Sequence, residues 1–434
     1  MGANLSIEAT FTATSATSLA TDDDGAPFVS AVEFFDPSAG HWAPATVQDG
    51  SWSAPCLPSG CRARYVFALG KAATTLAGVE TATMAGGLIV APPSTWLLRP
   101  APAAVASGSR LRLRVTGASF DIGMARSASE PEVFEAETSD IDAATFAAFG
   151  PAFRETVESG AARVEVAIAP AGLAMAPSEI KAWVQRSVAG IARYYGHFAV
   201  PRTLVVVVPG TERATEGETL GDGGPSVLVR AAPGLTASRA ADDWVMIHEL
   251  VHVTLPSLNR QEDWLSEGIA TYVEPIIRAR AGVVSVERFW SELVAGLPQG
   301  LPQAGDEGLE RTHTWGRTYW GGALFCLLAD VRIRERTGGA RSLDDALRAV
   351  IATGANVQSH WSLDRFLDEG DRGATVPVLR ELYREMGLAP GSVDLGALWK
   401  RLGVAVDRGG KVTFDDRAEL ATIRRALAHP ELKD

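Results

Sequence analysis

The sequence predicts an α+β multidomain fold: an N-terminal β-sandwich-like domain over residues 1–170, a central α+β domain over 171–340 and a mainly helical C-terminal region over 341–434. Three observations predict it. The 434 residues are about three times the usual single-domain length. The apolar period changes from two to 3.6 between residues 163 and 198, and helical patterns dominate beyond residue 316.

In the first 170 residues, short apolar segments at 31–35, 65–69 and 111–115 are separated by clusters of Gly, Pro, Asp and Ser, as in a β domain. Residues 163–169 alternate as a strand. From 177 to 198 the apolar residues Ile180, Trp183, Val184, Val188, Ile191 and Tyr195 recur at helical spacing. A buried-strand run at 204–208 closes on Pro209-Gly210. A Gly-rich loop at 217–224 and a short edge strand at 226–230 follow, and together these make the front of an α+β domain. A mostly apolar helix is expected over 240–254, with Asp242 and Asp243 favouring its N-terminal dipole and Pro256 stopping it. A second helix begins near Asp263 and runs past Val273. Helices at 319–334, 342–351, 376–386 and 417–427 complete the chain, with Gly409-Gly410 as a turn between short strands.

Composition excludes several functions. The 52 acidic and 40 basic residues give a formal net charge of −12 with no basic cluster, which argues against a nucleic-acid partner. No apolar run reaches the roughly 18 residues a membrane span needs. The first twenty residues carry neither a basic segment nor an apolar core, so no signal peptide is expected within this chain. Cys56 and Cys61, across Leu-Pro-Ser-Gly, are candidates for a small-loop disulfide, which would imply a periplasmic or secreted protein; two free thiols and a cytoplasmic protein are the alternative. Cys326 sits in an apolar stretch.

The informative residues are His248-Glu249-Leu250-Val251-His252. Positions i and i+4 of a helix point the same way, so two imidazoles there can share one metal ion, with the glutamate beside it. Chance would produce such a pattern in this composition roughly 0.007 times. On a helix that is otherwise apolar, two histidines and a glutamate would be costly to bury without a partner, and a metal satisfies them. A catalytic zinc takes three protein ligands and keeps one open position. A third histidine six residues after His252 is ruled out, because that position is Leu258. Glu267 is the expected third ligand, on a second helix behind a tight turn. Glu262, Asp263 and Glu274 are its competitors, the first two reading as first-turn charges.

The segment Trp264-Leu265-Ser266-Glu267-Gly268 after a His-Glu-x-x-His helix resembles the gluzincin zinc metallopeptidases, most closely the glycyl aminopeptidase family. Residues 319–324 (Tyr-Trp-Gly-Gly-Ala-Leu), 329–334 and 339–345 look like that family's segment after the active site, and 96–100 like the end of its N-terminal β domain. The resemblance implies a thermolysin-like catalytic domain, a peptide substrate and Zn2+ held by His248, His252 and Glu267. Glu249 would carry the proton from the attacking water to the leaving amine. Tyr319 would donate a hydrogen bond to the oxyanion. Thr271 is a candidate support for a ligand, and His313 reads as a loop histidine.

The chain departs from the family in four ways. Only 14 residues separate His252 from Glu267, a family-like lysine is replaced by Gly321, and about 45 residues after position 390 are too few for the family's PDZ module. The Gly-rich stretch at 221–226 also lacks an obvious glutamate for a substrate's amine, leaving Glu216, Glu218 or Asp222 to supply it. The expected function is therefore a zinc metallopeptidase, most simply an aminopeptidase. An endopeptidase or oligopeptidase and a catalytically inactive binding relative are the alternatives.

Overall fold

A computed structural model describes residues 3–428, apart from 13–15, 23, 49, 55, 57–58, 79–80, 102–108, 139–144 and 408–410. The fold is α+β with several sheets. The chain divides into two units, Met1–Lys181 with Val200–Thr236, and Ala182–Ala199 with Ala237–Asp434.

In the first unit, strand Leu5–Thr12 buries Leu5, Ile7, Ala9 and Phe11, the period of two that a sheet with one covered face imposes. It lies between Arg110–Thr116 and Gly60–Phe67 in a seven-stranded antiparallel sheet. Two four-stranded sheets share its apolar core, which includes Phe11, Phe67, Trp96 and Phe149. The predicted strand at 65–69 ends at Phe67, and helix Leu69–Leu76 follows it. The Tyr65 hydroxyl donates to the Trp96 carbonyl and accepts from the Leu98 N–H, both at 3.0 Å, fixing the fully buried segment around Trp96 and Leu97. Cys56 and Cys61 form a disulfide.

A five-stranded sheet in the same unit runs in the order Phe153–Ser159, Ala162–Ile168, Arg202–Pro209, Ser226–Ala231 and Glu216–Leu220. The inner three strands are parallel, and each outer strand is antiparallel to its neighbour. The run Leu204, Val205, Val206, Val207 and Val208 is central and fully buried, which is why it reads as a continuous apolar stretch without alternation. Two differences from the sequence reading arise here. The sheet takes strands from both sides of residue 170. The edge strand is Glu216–Leu220, read above as loop, so Ser226–Ala231 is internal. Its five residues are half-buried and carry no alternation, so only the free edge of the neighbouring strand defines it.

The second unit is helical. The helix expected at 240–254 breaks into Ala237–Asp242 and Val245–Thr254. Asp243 Oδ1 accepts the Val245 N–H at 3.0 Å, offering the chain a local cap in place of a continued helix. Helices Val286–Gly296, Leu363–Ala374 and Leu395–Leu402 join those anticipated. Strands Val404–Val406 and Val412–Phe414 pair antiparallel; the predicted Gly409-Gly410 turn lies outside the described residues. Buried Asp330 ties three elements together, accepting from Tyr272 Oη at 3.1 Å, Arg334 Nε at 2.8 Å and the Leu343 N–H at 3.0 Å. No helix among the described residues is long and apolar enough to cross a membrane.

Candidate metal centre

Nine of the ten residues of helix Val245–Thr254 are buried, and the exception is His252. The helix ends at Leu255, whose extended backbone leads into Pro256. The short connection that follows is pinned at Ser257, which donates to the Val357 carbonyl at 2.6 Å and accepts the Trp361 N–H at 3.0 Å. Helix Asp263–Arg280 then starts close to the first and carries Glu267 on its second turn.

These two helices bring His248, His252 and Glu267 together, with one ligand atom of each lying within 4.8 Å of the others. His248 Nε2 is 3.1 Å from Glu267 Oε2, and His252 Nε2 is 3.5 Å from the same oxygen. A tetrahedral ion with bonds of about 2.0–2.1 Å needs donors about 3.3 Å apart, so the two imidazoles and the carboxylate fit a zinc-sized ion. Glu274 is occupied elsewhere, accepting from Arg278 Nε at 2.6 Å and Nη2 at 3.0 Å. His248 is buried, and its Nδ1 has no hydrogen-bond partner among the described residues. The Trp244 ring meets this imidazole edge-on at 5.1 Å.

Burial opposes charge on both His252 and Glu267, and their mutual attraction overcomes it. The imidazolium is pushed up to about 9 and the carboxyl is held well below its usual range. Glu249 is buried beside them, close enough for its charge to act on His252 and on the Tyr319 phenol. Burial, then the charges of Glu267 and Glu249, push that phenol well above its ordinary value, so Tyr319 stays a neutral donor. Its ring stacks on His248 with centroids 6.3 Å apart.

Tyr319 reaches this position through glycines. A Cβ on Gly268 would lie 2.3 Å from the Gly322 backbone, and one on Gly322 would lie 1.9 Å from the Trp264 carbonyl, so the two helices cross with their backbones in contact. Tyr319 sits on the π-helical turn Gly316–Gly321 that leads into helix Gly322–Arg336. Buried Arg317 anchors the turn, donating to the Gly300 carbonyl at 2.5 Å and pairing with Asp306 at 2.8 Å. At Gly321, where the resembling family carries lysine, a Cβ would meet the end of the Leu309 side chain at 2.8 Å, so a larger residue there requires that side chain to shift. Thr271 lines a cavity beside His248 and Tyr319, and His313 is exposed. Sequence reading missed Trp244, Arg317 and the Gly268–Gly322 crossing. The glycine pair just after Tyr319 was the available signal.

No protein-family model matches the chain, and no curated protein matches it. Among solved structures, the chain is similar to an aminopeptidase N family protein from Idiomarina loihiensis, with a TM-score of 0.67 and 13% identity over 94% of this chain and 77% of that one. It is also similar to a mutant of the M1 zinc metallopeptidase from Deinococcus radiodurans, with a TM-score of 0.51 and 16% identity over 91% of this chain and 92% of that one. The same mutant bound to a Tyr-Ser-Ala substrate gives 0.50 and 16% over 91% of each chain. At these identities the likeness is one of fold, and that fold is shared with M1-type zinc metallopeptidases.

Proposed function

We propose that the chain is a zinc-dependent metallopeptidase, acting as an aminopeptidase. The observation that carries this reading is the convergence of His248 Nε2 and His252 Nε2 on Glu267 Oε2, at 3.1 and 3.5 Å, a donor set with the spacing and chemistry of a catalytic zinc site. Zinc bound there supplies a Lewis acid for the scissile carbonyl and lowers the pKa of water. His248, His252 and Glu267 hold it. Glu249, the buried carboxylate that lies between the two histidines on the same helix, takes the nucleophile's proton and returns it to the leaving amine. Tyr319, kept neutral by its surroundings, donates to the oxygen on which charge develops.

The fold shared with M1-type enzymes supports the same reaction class. The Cys56–Cys61 disulfide supports a periplasmic or secreted site of action. The test is metal analysis of the purified chain together with turnover of a peptide library. One zinc per chain and hydrolysis lost on chelation and restored by zinc are expected; a protein that neither holds nor rebinds zinc rejects the proposal.

A further inference from the structure

Two of the exposed large apolar side chains among the described residues flank the proposed centre: Trp244, 45% exposed, and Trp315, 61% exposed. Trp244 meets His248 edge-on at 5.1 Å, and Trp315 stacks on Tyr319 at 5.5 Å. Both line one cavity of roughly 410 Å³, shared with Trp320 and Thr271. Leaving indole faces open to water forgoes the favourable burial of large apolar surfaces, which a ligand would recover. The third tryptophan is wedged in place, because the Trp320 ring fills the space above Gly296, where a Cβ would lie 2.0 Å from it.

The charged residues on the cavity's wall are engaged with one another. Arg278 binds Glu274 at 2.6 and 3.0 Å and Glu292 at 2.7 Å, while Arg288 binds Glu292 at 3.0 Å and also Asp242. A charged ligand group entering here would compete with ion pairs already made. An aromatic or large aliphatic group would meet three indoles.

We infer that this cavity is a substrate side-chain pocket that selects a large neutral apolar or aromatic residue next to the scissile bond. The inference rests on the peptidase reading and adds the substrate class. It is tested in two measurements on zinc-loaded protein. The first is kcat/KM for matched peptides carrying Ala, Leu, Phe, Lys or Glu on each side of the cleaved bond. The second is tryptophan emission of Glu249→Gln protein titrated with L-phenylalanine amide and L-alanine amide. Wild type is expected to favour Phe over Ala by roughly 10- to 100-fold, the scale of apolar pocket discrimination. That ratio should fall to about 3 or less in Trp315→Ala, whose side chain is too exposed for folding to depend on it, and in Gly296→Ala, which displaces Trp320. Phenylalanine amide should bind at least about 10-fold tighter than alanine amide, and Trp315→Ala should erase the difference. Equal turnover of Phe and Ala peptides, or a preference for Lys, overturns the pocket while leaving the peptidase intact. Preferential binding of phenylalanine amide by a protein that cleaves nothing supports the pocket and rejects the peptidase.

Discussion

His252 Nε2 lies 3.5 Å from Glu267 Oε2, and the two groups hold each other charged inside a largely buried site. A histidine must be neutral to ligate a metal, so the apo pair stores a proton that zinc must displace. With the imidazolium pushed up to about 9, zinc uptake at pH 7 should release close to one proton per ion from this pair, a share that shrinks as pH rises through about 9. Calorimetric titration of apo protein in buffers of differing ionisation enthalpy reads this number directly.

The same pair contributes to the apo protein's pH dependence. The raised histidine contributes stability that is complete below its ordinary value of 6.5 and lost as pH rises through about 9. The depressed carboxyl contributes stability present above its ordinary value of 4.5 and lost as pH falls toward its lower folded value. Apo protein should therefore melt at its highest temperature between these ordinary values, and Glu267→Gln should flatten both limbs of the profile.

Glu249→Gln and Tyr319→Phe separate proton transfer and oxyanion stabilisation from metal binding. Both variants should retain zinc. The first should lose about 10²- to 10⁴-fold in kcat, and the second roughly 10²- to 10³-fold in kcat with KM little changed. His248→Ala, His252→Ala and Glu267→Ala should instead lose the zinc itself. Metal content measured alongside steady-state kinetics distinguishes the two groups, and a Tyr319→Phe effect confined to KM would remove the phenol from the oxyanion role.

Gly268→Ala tests the helix crossing beneath the site. The added Cβ would stand 2.3 Å from backbone, which cannot yield as a flexible side chain does. Overpacking of this kind costs about 1–3 kcal/mol, so the melting temperature should drop by several degrees. Zinc affinity and the Tyr319-dependent part of kcat should fall together, because the crossing positions the Glu267 helix and the tyrosine turn relative to each other.

The parts of this site that were legible in the sequence are the local ones. His248 and His252 share a helix face because of their spacing, and Glu267 follows on the next helix within reach of a short turn. Trp244 was legible in the same way, since it stands one turn before His248 at i and i+4 and its carbonyl accepts the His248 N–H at 3.0 Å. Gly268 and Gly322 are 54 positions apart, and their contact is a property of packing. Strand Glu216–Leu220 owes its existence to a partner strand, so its polar residues read as loop. The outer domain limits fared similarly: the five-stranded sheet recruits Phe153–Ser159 and Ala162–Ile168, which alternation alone assigns to the preceding β-rich stretch.

The disulfide is checked by intact mass. Denatured but unreduced protein should take up one alkyl group, at the buried Cys326, and reduced protein three. Three additions without reductant would remove the support for an oxidising compartment.

The last prediction concerns the substrate's amino terminus. An aminopeptidase must pair the substrate ammonium with a carboxylate, since an unpaired charge taken out of water is costly. The sequence offers Glu216, Glu218 and Asp222 as candidates, and alanine substitution of each in turn finds the one that reads the ammonium. N-acetylation should abolish turnover of otherwise matched peptides. The alanine variant of the carboxylate that reads the ammonium should reduce kcat/KM on free peptides by roughly 10²-fold or more, the scale of leaving one partner of a desolvated pair alone. Residual turnover by that variant should no longer distinguish free from acetylated peptide, because the charge being read has lost its reader. Equal cleavage of free and acetylated peptides by the wild type would instead make the enzyme an endopeptidase, with zinc chemistry unchanged.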